Sequence, residues 1–304
     1  MEVMQGYGRG SKLLFGLSFI VSIVAVSEVC AGADHKWQVG VAPSYSSGNY
    51  GTNTTTTITY IPLIVRRLFQ DGDISLTIPY VSITSNGAVT LVGGVPNRTS
   101  QSGSSGSGSS GSGGGSGGPG SGSSGPGNSR DKRPGNVLPS KTTDSGIGDI
   151  ILRARYYLIE ERTSMPLVAV TGRIKFPTAD EDRGLGTGQF DEGIGLEFSK
   201  QFTEKVIGFA DVGYTIIGKP DNVPLRNQWN YDLGVGYYFT NNLLGSVYYE
   251  EYRALIAGLQ NPRDLLCAVN YRATSVFRMN ASVQIGLSSG APDYGLTGGV
   301  SYRF

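Results

Sequence analysis

Apolar and polar residues take turns in run after run of about ten residues, and the last run ends only at Phe304. In DIILRARYYL, Ile150, Leu152, Ala154, Tyr156 and Leu158 oppose Arg153, Arg155 and Tyr157. In LVAVTGRIKF, Val168, Val170, Ile174 and Phe176 oppose Thr171, Arg173 and Lys175. WNYDLGVGYYF and VFRMNASVQIGL repeat the pattern. At the end of the chain Phe304, Tyr302, Val300, Gly298, Leu296 and Tyr294 share one parity, and Arg303, Ser301, Gly299, Thr297 and Gly295 the other. A period of two is a strand with two unlike faces. Two environments produce it: a sandwich core against water, or lipid against an aqueous lumen. Runs of about ten residues are long enough for a tilted strand to cross a bilayer.

The connections choose between the two. The alternation predicts about twelve strands, at roughly 36–47, 54–68, 73–86, 147–159, 166–177, 190–202, 206–217, 229–240, 243–252, 264–273, 275–287 and 294–304. With the N-terminus on the periplasmic side, the even-numbered connections are short polar turns: FQDGD, IEERTSMP, FTEK, FTNN and the ATS stretch. The odd ones are long: the insertion at 87–146, TADEDRGLGTGQ, GKPDNVPLRNQ, EYRALIAGLQNPR and SSGAPD, with GNYGTN the first. Outer-membrane barrels sort their loops this way, and a secreted sandwich or jelly roll has no reason to. The expectation is an all-β chain, a transmembrane antiparallel up-and-down β-barrel of about 12 strands. It belongs in the outer membrane of a Gram-negative-type bacterium. One segment resists the pattern: 54–68 alternates poorly, and its Arg66-Arg67 pair fits neither face.

The N-terminus agrees with export. Arg9 and Lys12 precede the apolar run LLFGLSFIVSIVAV, and Ala31-Gly32-Ala33 fits a small-residue cleavage site. The run is shorter than the roughly 20 residues a membrane-spanning helix needs. Residues 1–33 are therefore expected to be a signal peptide and 34–304 the barrel. Cys30 would leave with the signal, and Cys267 then has no partner for a disulfide. Charged residues make up 16% of the chain, against about 25% in ordinary soluble domains. The net charge of +1 leaves no basic excess to neutralise phosphates, which argues against nucleic acid as a partner. Tyrosine outnumbers phenylalanine, 17 to 11, as suits a protein that must place aromatic rings at a membrane–water boundary.

Parity also sorts the charges. Arg153, Arg155, Arg173 and Lys175 on two neighbouring strands, and Asp191, Glu197, Asp211 and Asp232 on the next three, are the candidate lumen-lining residues. Basic strands beside acidic ones either set a transverse field across a pore or pair and plug it; parity leaves both open. On the lipid parity of the last strand, Phe304, Tyr302 and Val300 form the candidate assembly signal. That strand must pair with the first so that no backbone edge stays in hydrocarbon.

Other chemistries find little support. The one histidine, His35, sits at the edge of the expected mature chain, poorly placed for a triad or metal site. DEGIGLEF and ADED are acidic, as surface loops often are. GLGTGQ is not followed by a helix, so it fails the context a phosphate loop requires. No catalytic residue, metal ligand or cofactor site is expected. The almost pure Gly/Ser tract from Ser100 to Ser129 buries no apolar area, and a disordered extracellular loop is expected at about 98–143.

Three stretches, LTIPYV (76–81), SGIGDI (145–150) and GRIKFPTADEDRGLGTGQFDEG (172–193), resemble a bacterial outer-membrane transporter family associated with the meta-pathway of phenol degradation. Their order and the terminal strand match as well, and the Gly/Ser tract stands out as an insertion. The resemblance implies a transport-type outer-membrane protein, with aromatic or apolar small molecules among its solutes; the expectation is an outer-membrane channel or transporter for passive passage of small molecules and, for want of a usable histidine, no enzyme. It supplies no binding residues. The alternatives are a structural or adhesive barrel with a plugged lumen and, with less support, a barrel enzyme. Expected partners are outer-membrane lipid, the barrel-assembly machinery and a solute of unknown identity.

Overall fold

The computed structural model describes residues 36–99, 141–221 and 223–304, together with two short paired strands, Lys12–Leu14 and Ala25–Ser27. The expected signal peptide, apart from those two strands, and the Gly/Ser tract lie outside the described residues.

Fourteen paired segments close into one antiparallel sheet. Two of its strands are interrupted, so the segments make a barrel of twelve. In chain order they are β1 (Trp37–Val41 and Ser44–Gly48), β2 (Thr56–Phe69), β3 (Gly72–Ser85) and β4 (Thr142–Ile147 and Ile150–Ile159). Then come β5 (Leu167–Phe176), β6 (Asp191–Gln201), β7 (Val206–Ile217) and β8 (Gln228–Thr240). The circuit ends with β9 (Leu243–Tyr252), β10 (Arg263–Arg272), β11 (Phe277–Gly286) and β12 (Tyr294–Arg303). Each strand pairs with the next, and β12 returns to β1. Closure leaves no open edge, the condition for a sheet in lipid. β4 begins at Thr142 rather than near 147, because Thr142–Ile147 extends the ladder on β3. The ends of the expected disordered loop are likewise ordered: Val95–Arg98 and Thr142 belong to strands.

The outward positions carry Ile61, Leu63, Ile74, Leu76, Ile194, Val212, Leu233, Val235, Val247 and Val269, all exposed. They form the belt that meets hydrocarbon. Aromatic rings bound it above and below. Trp37, Phe69, Phe202, Phe239, Tyr302 and Phe304 lie at the periplasmic rim, and Tyr45, Phe190, Tyr214 and Tyr294 on the other side. Ten-residue strands tilted by ~40° span about 25 Å, the height of such a belt.

The Arg66–Arg67 pair falls on both faces. Arg66 points inward, with its Nε 3.4 Å from Asp73 Oδ1. Arg67 points outward, and its guanidinium lies over the rings of Trp37 at 5.0 Å and Phe69 at 5.9 Å. A cation on interfacial aromatics is stable at the membrane boundary, where it stays wet. The seam closes at the chain end. Trp37 N–H donates to Phe304 O at 3.0 Å and Phe304 N–H to Trp37 O at 2.9 Å. The Tyr302 and Phe304 rings stack at 6.3 Å.

Candidate functional site: the barrel interior

A hairpin occupies the extracellular mouth. Val89–Val92 pairs with Val95–Arg98. Gly93 and Gly94 make the turn with φ of +60° and +84°. These are the values of a type I′ turn, which needs positive φ at both central positions, and glycine takes them without strain. Ala88, Val89, Leu91, Val92 and Val95 are all buried. On one side Val89 and Leu91 pack with Ile58, Tyr60, Val81 and Ile83 of the wall and with Ala179 and Leu185 of the β5–β6 loop. On the other, Val92 packs with Ile217, Leu225, Leu255 and Ile256. The tip descends to β5, where a side chain at Gly93 would sit 3.2 Å from the Arg173 guanidinium nitrogens. Asn97 Oδ1 accepts from Gln228 Nε2 at 3.4 Å. Arg98 Nη1 donates to Gly51 O at 2.8 Å. Tyr50 joins the same apolar cluster from the β1–β2 loop at φ +49°, and burial pushes its phenol up from the ordinary range. The signal for this hairpin was in the chain: VTLV and VPNR flank Gly-Gly, a strong short-range hairpin pattern.

Below and beside the hairpin lies a buried clamp. Lys175 is fully buried, with Nζ 3.1 Å from Asp149 Oδ2 and 3.0 Å from Asp191 Oδ2. It also donates to Thr187 Oγ1 at 2.8 Å. The other oxygens of the two carboxylates tie down backbone: Ala179 N–H donates to Asp149 Oδ1 at 3.0 Å, and Gly218 N–H to Asp191 Oδ1 at 2.9 Å. Gly148 N–H donates to Pro79 O at 2.9 Å, and Thr178 Oγ1 donates to Gly148 O at 3.0 Å. Gly186 passes so close to Asp149 that a side chain there would meet its carboxylate at 2.8 Å. Asp149, Lys175, Thr187, Asp191 and Pro79 are drawn from the three stretches that carry the family resemblance. Those motifs therefore converge in space on a structural clamp, which holds the β5–β6 loop and its Leu185 against the hairpin.

The remaining charges divide into a paired group and an unpaired group. Arg153 and Arg155 both bond Glu197, Arg155 through Nε at 2.8 Å. Arg155 also reaches Asp73 at 3.2 Å. Arg173 Nη2 donates to Thr215 Oγ1 at 3.1 Å. From Glu197 onward the carboxylates run in register across the wall. Glu197 is the direct partner of Asp211, Asp211 of Asp232, Asp232 of Glu250, and Glu250 of Asp264. All five are buried. Among the described residues, the ion pairs formed by this row are those of Glu197. A cavity of about 50 Å³, large enough for a few waters, lies between Arg153, Arg173, Glu197, Asp211, Thr215 and Asn230.

All eight sequence-derived lumen candidates thus sit on inward positions, in two places. Lys175 and Asp191 belong to the clamp. Arg153, Arg155, Arg173, Glu197, Asp211 and Asp232 border the interior below the hairpin. Sequence reasoning missed Glu250 and Asp264, because each stands on a parity otherwise carrying Leu244, Tyr248 and Leu266. It also missed Arg66, Asp73 and Asp149. Phe304, Tyr302 and Val300 are on the outward face of β12, and Cys267 is exposed.

The family model described as "Putative MetA-pathway of phenol degradation" matches residues 106–304. The chain belongs to this family. Its fold is that of an outer-membrane channel from Pseudomonas putida F1, at a TM-score of 0.56 and 13% identity, covering 91% of this chain and 100% of that one. The KdgM porin aligns at TM-score 0.49 and 8% identity over 88% of this chain and 99% of its own. The Ralstonia pickettii toluene transporter TbuX aligns at 0.40 and 10%, over 88% and 89%. No curated protein matches. The lipid-facing belt, the aromatic rims and the closed twelve-stranded sheet make this phenol-degradation family member an outer-membrane barrel of the Gram-negative kind.

Proposed function

We propose that this barrel is a passive outer-membrane channel for small molecules, gated at its extracellular mouth by the 89–98 hairpin. The observation that carries the reading is the interior itself. A barrel stabilised only as a scaffold is best filled with apolar side chains, since buried charges are costly. This one keeps a charged interior beneath an apolar stopper. The stopper is a separate element on a long loop, joined to the wall by side-chain packing and a few hydrogen bonds rather than by a ladder.

The first binding step suits an aromatic or apolar solute. Beside the hairpin is a cavity of about 180 Å³ with Tyr50, Leu255, Leu259 and Pro262 on its apolar side and Arg98, Gln260 and Ser289 on its polar side. A volume of ~150 Å³ is enough for a ring the size of benzene. The association of the family with phenol degradation supports the same solute class. No step of this reading calls for catalysis or a cofactor. The export signal and the terminal strand ending Val300, Tyr302 and Phe304 supply the route to the membrane, the latter as the segment recognised by the assembly machinery. The small cavity below the hairpin favours the second reading, a plugged structural barrel.

Planar-bilayer recordings separate the two. A variant with residues 89–98 replaced by a short Gly/Ser link is expected to show a single-channel conductance several-fold above the intact barrel. If both barrels are heat-modifiable on gels yet neither conducts, the channel reading is wrong.

A further inference from the structure

The row Glu197–Asp211–Asp232–Glu250–Asp264 is more than an acidic patch. Its members are successive direct partners on five adjacent strands, so their side chains share one line perpendicular to the strands. Because barrel strands are tilted, such a line also descends. Asp264 is the second residue of β10 from its extracellular end, whereas Asp211 and Glu197 lie near the middle of β7 and β6. Four inter-strand steps of ~4.8 Å, inclined by a ~40° tilt, descend about 12 Å along the axis. The lower end is neutralised by Arg153 and Arg155. Above it, directly opposed like charges repel and burial removes their hydration.

Two observations show that this row is incomplete as it stands. Asp232 is 1% exposed, and neither of its carboxylate oxygens has a hydrogen-bond partner among the described residues. Tyr252 is 3% exposed, its hydroxyl also has no partner there, and it lies within electrostatic reach of Asp232, Glu250 and Asp264. Buried polar groups of native proteins have partners. A positively charged ligand supplies them.

We infer that the ladder is a binding track for a compact cation, and specifically for the ammonium group of a small organic solute. This rests on the channel reading and names the charge of what passes. A divalent metal fits less well. Calcium takes six to eight oxygens converging at ~2.3–2.6 Å, and no group of three acidic or other metal-ligating side chains converges among the described residues. An ammonium is a point charge with three donors. It needs only two or three acceptors at a time, and a line of carboxylates offers such sets in series. The Leu255, Leu259 and Pro262 side of the cavity at the mouth then receives the hydrocarbon part of the same solute, and the ladder its charge.

The test compares benzylammonium with its neutral analogue benzyl alcohol. Binding to the solubilised barrel is measured by titration calorimetry, and current block is recorded in bilayers. The proteins are wild type, Asp232→Asn and Glu250→Gln, each first checked for heat-modifiability. Benzylammonium is expected to bind at least ten-fold more tightly than benzyl alcohol, and either variant to remove most of that difference. Equal binding of the two probes, or a preference that survives in both folded variants, overturns the ladder as a cation track. Selective binding without conductance sinks the channel reading and leaves the ladder; conductance without selective binding does the reverse.

Discussion

Lys175→Met is the most informative single change in the clamp. The side chain is fully buried and one ammonium serves two carboxylates, Asp149 at 3.1 Å and Asp191 at 3.0 Å. Breaking a buried ion pair by removing one partner costs about 3–5 kcal/mol, because the other charge stays behind unpaired. Here two are left behind, so the cost belongs at the upper end, about 4–5 kcal/mol. Neutralising the carboxylates as well should return most of it. In Lys175→Met/Asp149→Asn/Asp191→Asn no charge is orphaned, and the asparagine Oδ1 atoms still accept from Ala179 N–H and Gly218 N–H. The triple variant should lie within about 1–2 kcal/mol of wild type, the size of one or two altered hydrogen bonds. The assay is reversible urea unfolding in detergent micelles, followed by the heat-modifiable gel band. A single variant within about 1 kcal/mol of wild type, or a triple variant as unstable as the single, would refute the argument. The first result would mean that Lys175 is not the counter-ion of this pair, and the second that its role is packing.

Deleting Phe304 should cut outer-membrane levels strongly, because it removes both backbone hydrogen bonds to Trp37 and an interfacial ring at the seam. Arg303→Ser, which loses a 3.2 Å bond from Nε to Gln38 Oε1 inside the barrel, should cut them much less; equal losses in membrane-fraction immunoblots would contradict the assignment of faces. Removing residues 100–129 should leave a heat-modifiable barrel at wild-type levels, since a Gly/Ser sequence has no large apolar side chains to contribute and a shorter loop closes at lower entropic cost. Loss of that barrel would give the tract a structural role. Arg67→Ser, which takes a cation off Trp37 and Phe69, should cost about 1 kcal/mol or less in micelle unfolding; a loss above 3 kcal/mol would place Arg67 inside.

By itself the sequence determined what depends on near neighbours along the chain. The period of two in β4, β5, β8, β11 and β12 is local, because successive side chains of a strand must point to opposite faces. Loop lengths are local too, and their alternation yields an up-and-down barrel with its long loops on one side. Tertiary structure decided whatever depends on register between strands. No parity argument says that Asp232 stands opposite Asp211 and Glu250, since one strand's alternation is silent about its neighbour's offset. Arg66 and Arg67 looked contradictory because both are charged; the fold gives one a carboxylate and the other a pair of aromatic rings at a wet boundary. The family motifs carried no structural role that the sequence could assign and prove to be a clamp, because residues as far apart in the chain as Pro79 and Asp191 come together only once β3, β4, β5 and β6 lie side by side. The hairpin was legible as a hairpin from Gly93-Gly94, but its position was not. A short apolar hairpin on a long loop is stable only against an apolar surface, and that surface exists only after the barrel has closed and assembled Ile58, Tyr60, Val81 and Ile83 at its mouth.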